Sequence, residues 1–246
     1  MPASIFRGIV MKTETEKPIS VVFDYLALRL LVGLIAMAMP IVVSLFAADY
    51  LPSISASYHT KSRDLFVGML FVIGVFLFAY KGHDKYQSWA ANIAAIAAII
   101  AAIFPTSCEG TKCLPYLTII DPATASEIHN YAAIILFIVL AYFCLGPFRK
   151  KAREKGPKGK VRSIIYIICG GVISGCILTI IIFAKAFPNQ TEELRIIYWG
   201  EFLALIMFGI AWFVAGKWYR LTILVDENDE TYRPWGKKNK KLLKGK

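Results

Sequence analysis

The chain has 246 residues, of which 57% are hydrophobic and 18% charged, and its mean hydropathy is +0.56. An ordinary soluble domain is about half apolar and a quarter charged, so composition and the length of the apolar runs exclude a water-soluble class. The formal charge of +11 is concentrated beside hydrophobic spans, in 149–162 and in the tail after 217, which excludes a nucleic-acid surface as the simplest reading and favours a membrane-topology signal.

Six segments approach or meet the ~20 apolar residues that a spanning helix needs. Residues 1–24 are polar and mixed in charge, and read as a cytoplasmic segment. The first span runs from Tyr25 to Ala47; Phe46-Ala-Ala48 is a weak cleavage signal, and the run reads as an uncleaved signal anchor. The second covers Asp64–Tyr80 and the third Tyr86–Phe104, whose alanines allow close helix approach and predict a central place in the bundle. The fourth runs from His129 to Leu145 and the fifth from Ser163 to Phe187, with Gly170-Gly171 and Ser174-Gly175 as a further small-residue face. The last runs from Ile196 to Trp218 and is interrupted by Gly200-Glu201. The expected fold is therefore all-α: a bundle of six transmembrane helices over 25–218, followed by a basic cytoplasmic tail, 219–246.

The loop RKKAREKGPKGKVR, Arg149–Arg162, holds one acid, Glu154, among its cations. The positive-inside rule places it in the cytoplasm, and counting helices outward then places both termini there too. That loop and the stretch 233–246 are expected to meet anionic lipid headgroups. The connections 48–63, 105–128 and 188–195 face outward. The expected location is a cell membrane, either a bacterial inner membrane or a plasma membrane.

Cys108 and Cys113 lie in the second outward connection, and their spacing around a glycine suits a small disulfide. Cys144, Cys169 and Cys176 lie in apolar spans as packing residues. Asn189-Gln-Thr191 matches a glycosylation acceptor pattern.

The polar residues of SISASYHTKSRDLFVG, Ser53–Gly68, fall at the outer end of span two. Ser55, His59, Arg63 and Asp64 there, with His129 at the start of span four and Glu201 inside span six, form an expected outward polar cluster. A carboxylate at membrane depth costs a few kcal/mol without a partner, so Lys185, His59, Arg63 and His129 are candidate partners for Glu201. As a structural element, Glu201 would lock helices together through one of these cations. Three chemical readings compete. His59, Asp64, His129 and Glu201 are ligands of the kind zinc takes. Ser55 or Ser57 with His59 and Asp64 would be a hydrolytic set. Arg63, His59, Lys61 and Lys185 would hold a lipid phosphate by charge-assisted hydrogen bonds, which demands least of the geometry.

Pro52-Ser-Ile-Ser55 followed by Arg63-Asp-Leu-Phe66, then Phe104-Pro105 and Ile128-His129 with Ala132-Ala133 and Phe137, resembles the signatures of the DRAM-like six-transmembrane superfamily, including its bacterial family of unknown function. The resemblance covers about 25–215 and implies a six-helix bundle, lipid-associated roles and no assigned catalytic chemistry. Ser55-Ala-Ser-Tyr-His59 is similar to the Ser-x-x-x-His element of the alkaline ceramidase, haemolysin III and adiponectin-receptor membrane zinc hydrolases. Their later His-x-x-x-His pair is missing here, since no histidine follows His129. The expectation is a lipid-binding or lipid-sensing membrane protein without catalysis and with no cofactor. The alternatives are a zinc-dependent lipid hydrolase or acyltransferase, and a small transporter coupling protons through Glu201 and Lys185.

Overall fold

A computed structural model of the chain describes residues 25–48, 50–80, 82, 84–108, 113 and 120–216. The expected N-terminal segment 1–24 and the basic tail 219–246, with its headgroup stretch 233–246, lie outside the described residues. The structure is helical: α1 Tyr25–Phe46, α2 Arg63–Ala79, α3 Lys85–Ile103, α4 Pro122–Phe143, α5 Arg149–Arg153, α6 Gly156–Ala186, α7 Pro188–Glu193 and α8 Ile196–Ala215. A 3₁₀ turn, Ser55–His59, sits between α1 and α2. A π-helical segment, Cys144–Phe148, joins α4 to α5, so that Pro122–Arg153 is one continuous helical rod.

Five helices are long and apolar enough to cross a membrane: α1, α3, the Pro122–Arg153 rod, α6 and α8. The protein is therefore a multi-pass membrane protein by length and composition. Helix α2 has 17 residues, or roughly 25 Å against a hydrocarbon core of about 30 Å. It is as apolar as its neighbours and as long as the second span the sequence suggests, Asp64–Tyr80.

Each long helix packs on the next in the chain, α1 on α2, α2 on α3, α3 on α4, α4 on α6 and α6 on α8, and α8 closes the ring on α1. Ring closure depends on small residues. A Cβ added at Gly33 would lie 2.8 Å from the Phe213 amide nitrogen and 2.9 Å from the Gly209 carbonyl oxygen. One added at Gly209 would lie 2.7 Å from the Gly33 carbonyl oxygen. The two glycines let the backbones of α1 and α8 cross in contact, which in lipid is a main source of helix adhesion. Helix α3 uses alanine to the same end, burying Ala91, Ala94, Ala95, Ala97, Ala98, Ala101 and Ala102 between α2 and α4. The expected small-residue face of α6 divides. Gly170 packs against Leu145 of the rod, whereas Gly171 and Gly175 face open space.

The helix starts are set by local chemistry. Asp84 accepts from the Gln87 amide at 2.9 Å and caps α3; that bond, seconded by the Gln87 side chain, holds its carboxyl below the usual range. Asp121 accepts from the Thr124 amide at 3.0 Å and caps α4, with Pro122 in the first turn, and hydrogen bonds from Thr124 lower its carboxyl likewise. Helix α4 thus begins seven residues before the apolar run from His129. Helix α8 runs without a break through Gly200-Glu201, where an interruption was expected.

At one end of the bundle, Trp212 is buried in an aromatic cluster. Its ring centroid lies 5.0 Å from that of Phe148, 5.2 Å from Phe208, 5.4 Å from Phe143 and 5.6 Å from Tyr80. Arg29 of α1 reaches across to donate to the Tyr80 hydroxyl at 3.0 Å and to the Ala215 carbonyl at 3.3 Å. The start of α1 and the end of α8 therefore share this end with the basic residues of α5, and it is called the basic end below.

Gly33→Ala and Gly209→Ala each force the α1–α8 crossing apart, and each is expected to cost about 1–3 kcal/mol. Gly171→Ala and Gly175→Ala, which meet nothing, serve as controls and are expected to hold or raise the thermal midpoint. Differential scanning fluorimetry of the four detergent-solubilised variants checks the contrast.

Candidate functional site

The segment between α1 and α2 is folded inward at the end opposite the basic one. Ser53, Ile54, Ser55, Ala56, Ser57, Tyr58 and Ser62 are all buried. Its serines and threonine are mostly consumed in shaping the turn. The Ala56 amide donates to Ser53 Oγ at 2.9 Å, Ser57 Oγ donates to the Ile54 carbonyl at 2.6 Å, and Thr60 Oγ1 donates to the Ser57 carbonyl at 2.9 Å. Hydroxyls that bond their own backbone over two or three residues favour turns over helix or strand, which explains a compact plug here.

Two charged residues of the α8 region pin this plug. Glu201 accepts from the Ser55 amide at 3.0 Å through Oε2 and from Ser55 Oγ at 3.0 Å through Oε1. The carboxylate thus caps the 3₁₀ turn from a helix 146 residues away in the chain. Its partner is Ser55, and none of Lys185, His59, Arg63 or His129 bonds it. Lys185 is exposed near the end of α6. The expected lock through a cation does not form; Glu201 instead holds a turn of the loop through Ser55.

Arg195, which sequence reasoning missed, is the second pin. It stands in the left-handed region with φ 52° immediately before α8, a conformation rare for a side-chain-bearing residue. Its guanidinium donates to the Leu51 carbonyl through Nε at 3.1 Å and Nη2 at 2.5 Å. It lies over the Tyr198 ring at 3.9 Å and the Tyr50 ring at 4.5 Å. Tyr198 in turn shares a hydrogen bond of 2.9 Å with Ser44 of α1. The available signal was the i, i+3 spacing of Arg195 and Tyr198 at the mouth of an aromatic-rich span.

His59 ties the plug to the segment after α3, and His129 ties α4 to the end of α3. His59 Nε2 donates to the Thr106 carbonyl at 2.9 Å. His129 Nδ1 faces the Ala101 carbonyl at 2.9 Å and the Phe104 carbonyl at 2.7 Å, and since carbonyls only accept, this nitrogen carries the proton. Each ring keeps one buried nitrogen without a partner, Nδ1 of His59 and Nε2 of His129.

Of the expected cluster, Ser55, His129 and Glu201 line one cavity of about 30 Å³, together with Met39, Phe66 and Leu205. That is room for a water, not for a lipid headgroup. Arg63 is turned away, donating to the Tyr58 hydroxyl at 3.0 Å with its guanidinium 4.4 Å over that ring. Asp64 is exposed in the first turn of α2, where it offsets the helix dipole.

The alternative zinc set of His59, Asp64, His129 and Glu201 does not assemble. An imidazole with one nitrogen on a carbonyl and the other bare is the form a metal ligand takes. A third donor is lacking: both Glu201 oxygens are held by Ser55, and Asp64 faces outward. Among the described residues no three His, Cys, Asp or Glu side chains are grouped so as to hold a metal. The Ser-His-Asp set fails as well. Ser57 Oγ is bound to Ile54, Ser55 Oγ to Glu201, and His59 to Thr106.

Cys108 and Cys113 are joined by a disulfide just beyond the residue that holds His59. Asn189 is exposed at the start of the short α7, while Thr191 is buried and donates to the Phe187 carbonyl at 2.9 Å.

Comparison of the chain with models of protein families, with curated proteins and with solved structures finds no match.

Removing the Glu201 carboxylate leaves the Ser55 amide without its acceptor, so Glu201→Ala is expected to cost about 1–3 kcal/mol. Glu201→Gln turns a donor toward one of the two Ser55 donors and recovers only part of that loss. Thermal unfolding in detergent checks the order wild type, then Gln, then Ala.

Proposed function

We propose that this chain is a six-span membrane protein of the lipid-associated, DRAM-like type, with both termini cytoplasmic and no catalysis of its own. In this reading α2, extended by the 3₁₀ turn before it, is the remaining span. The plug end faces outward, where the disulfide meets an oxidising compartment, and the cations of α5 and early α6 face inward. The lipid contact is a rim of the plug, formed by exposed Lys61 and half-buried Arg63.

One observation carries the reading. The polar groups that looked like a site are spent on holding the plug, and the cavity they share has about 30 Å³. A hydrolase needs room for an ester or amide beside its nucleophile and base, and those groups here are bonded to the plug and its neighbours. A proton-coupled path through Glu201 and Lys185 loses its motive, since Ser55 takes the place of the lysine. What remains at the outer surface is a rigid rim with two cations at headgroup depth, each worth roughly 1 kcal/mol toward anionic lipid.

A photoactivatable phosphatidylglycerol in nanodiscs is expected to cross-link to the peptide that carries 58–66. Lys61→Gln/Arg63→Gln is expected to lower that yield several-fold. An unchanged yield in the double variant, or no cross-link to this peptide in the wild type, would refute the rim.

A further inference from the structure

A second polar feature lies at the basic end, remote from the plug. Arg29 of α1, Lys151 of α5, Lys155, and Arg162 of α6 line one half-open pocket of about 60 Å³, with Phe148, Tyr166 and Ala215 among its walls. Its lining contains four cations and no carboxylate. Arg162 is buried, at 3% exposure. Arg29 is held at the pocket by Tyr80 and Ala215 through its two Nη atoms, and its Nε is buried without a partner. Lys151, Lys155, Arg162 and Tyr166 each make interactions of their own, so the cations are positioned rather than waving in solvent.

The walls explain why this arrangement persists. The π-helical segment with Pro147 leads directly into α5. Its last residue, Phe148, lies 5.5 Å from Tyr166 and 6.0 Å from the Arg29 guanidinium. The aromatic cluster then braces Arg29, whose guanidinium also lies 5.0 Å from the Tyr80 ring. A wider groove on the other side of the same basic stretch, lined by Arg149, Lys150 and Arg153, also contains Asp84 and Glu154. Its charges are mixed, whereas those of the Arg29 pocket have one sign.

We infer that the Arg29–Lys151–Lys155–Arg162 pocket binds a phosphate group. Its volume, about twice a water's share of the liquid, suits a compact tetrahedral oxyanion. Arg29 offers its buried Nε–H to such an anion, and the guanidinium of Arg162 with the two lysines adds positive charge. The same phosphate chemistry is offered by an anionic lipid headgroup, whose chains would lie along the apolar helices, and by free phosphate. The inference is independent of the outer rim, and its test touches other residues.

The test titrates detergent-purified full-length protein with dioctanoyl phosphatidic acid in one arm and inorganic phosphate in the other, followed by microscale thermophoresis. Lys151→Gln/Lys155→Gln is compared with Lys150→Gln/Arg153→Gln, which removes the same charge from the neighbouring groove. Both pairs are surface or half-buried positions, so folding is not at stake. The pocket pair is expected to weaken binding roughly 25-fold and the groove pair to change it little. Pocket-dependent binding of phosphatidic acid alone identifies a lipid ligand, and pocket-dependent binding of both probes identifies phosphate itself as sufficient; either result supports the site. Equal loss in the two pairs, or no binding of either probe, overturns it.

Discussion

The plug end of this bundle depends on what the Glu201 side chain bonds. A carboxylate inside an apolar helix has to be compensated, and here it is compensated by the amide and hydroxyl of one serine in a connecting loop. The consequence runs in both directions. Glu201 becomes tolerable inside an apolar helix, and the loop becomes a buried plug with a capped turn. Arg195 repeats the device a turn and a half away, placing a guanidinium on a loop carbonyl between two tyrosine rings. Residues that resemble catalytic or metal-binding parts are thereby made into fasteners.

The two ends of the molecule are opposite in this respect. At the plug end, one acid and one base are matched to loop groups and the cavity left over is small. At the basic end, an aromatic cluster around Trp212 makes a floor, and cations from three different helices line a pocket above it with no carboxylate among its described lining residues. Rigid apolar walls with convergent polar groups are the usual setting of a binding site. The pocket whose lining charges share one sign lies at the end opposite the one where the serines and histidines are found.

Much of the fold was legible in the sequence, because apolar runs report membrane helices directly. The observed α1, α2 and α3 begin and end within a residue of those runs. The starts of α4 and α6 were not legible in the same way. Asp121-Pro122 and Lys155 to Arg162 are polar, and a hydropathy reading assigns them to loops, although a capping aspartate and the helix-favouring Lys and Arg make them helical. For the candidate site, composition showed that Glu201 needed a partner but not which one. A hydrogen bond spanning 146 residues is a product of ring closure, which in turn depends on Gly33 meeting Gly209. Hydropathy also gave Arg29 and Arg195 no special weight, since each looks like an ordinary cation at a span end until the helix facing it is known.

The central claim is that the serine-rich segment is a fixed plug held by α8, and hydrogen exchange in nanodiscs measures that most directly. In the wild type, amides of 54–62 should exchange as slowly as those in the flanking membrane helices. In Glu201→Ala the same peptide should become fast while α3 and α4 keep their protection. Rapid exchange of 54–62 in the wild type, or slow exchange that survives the loss of Glu201, would contradict the account.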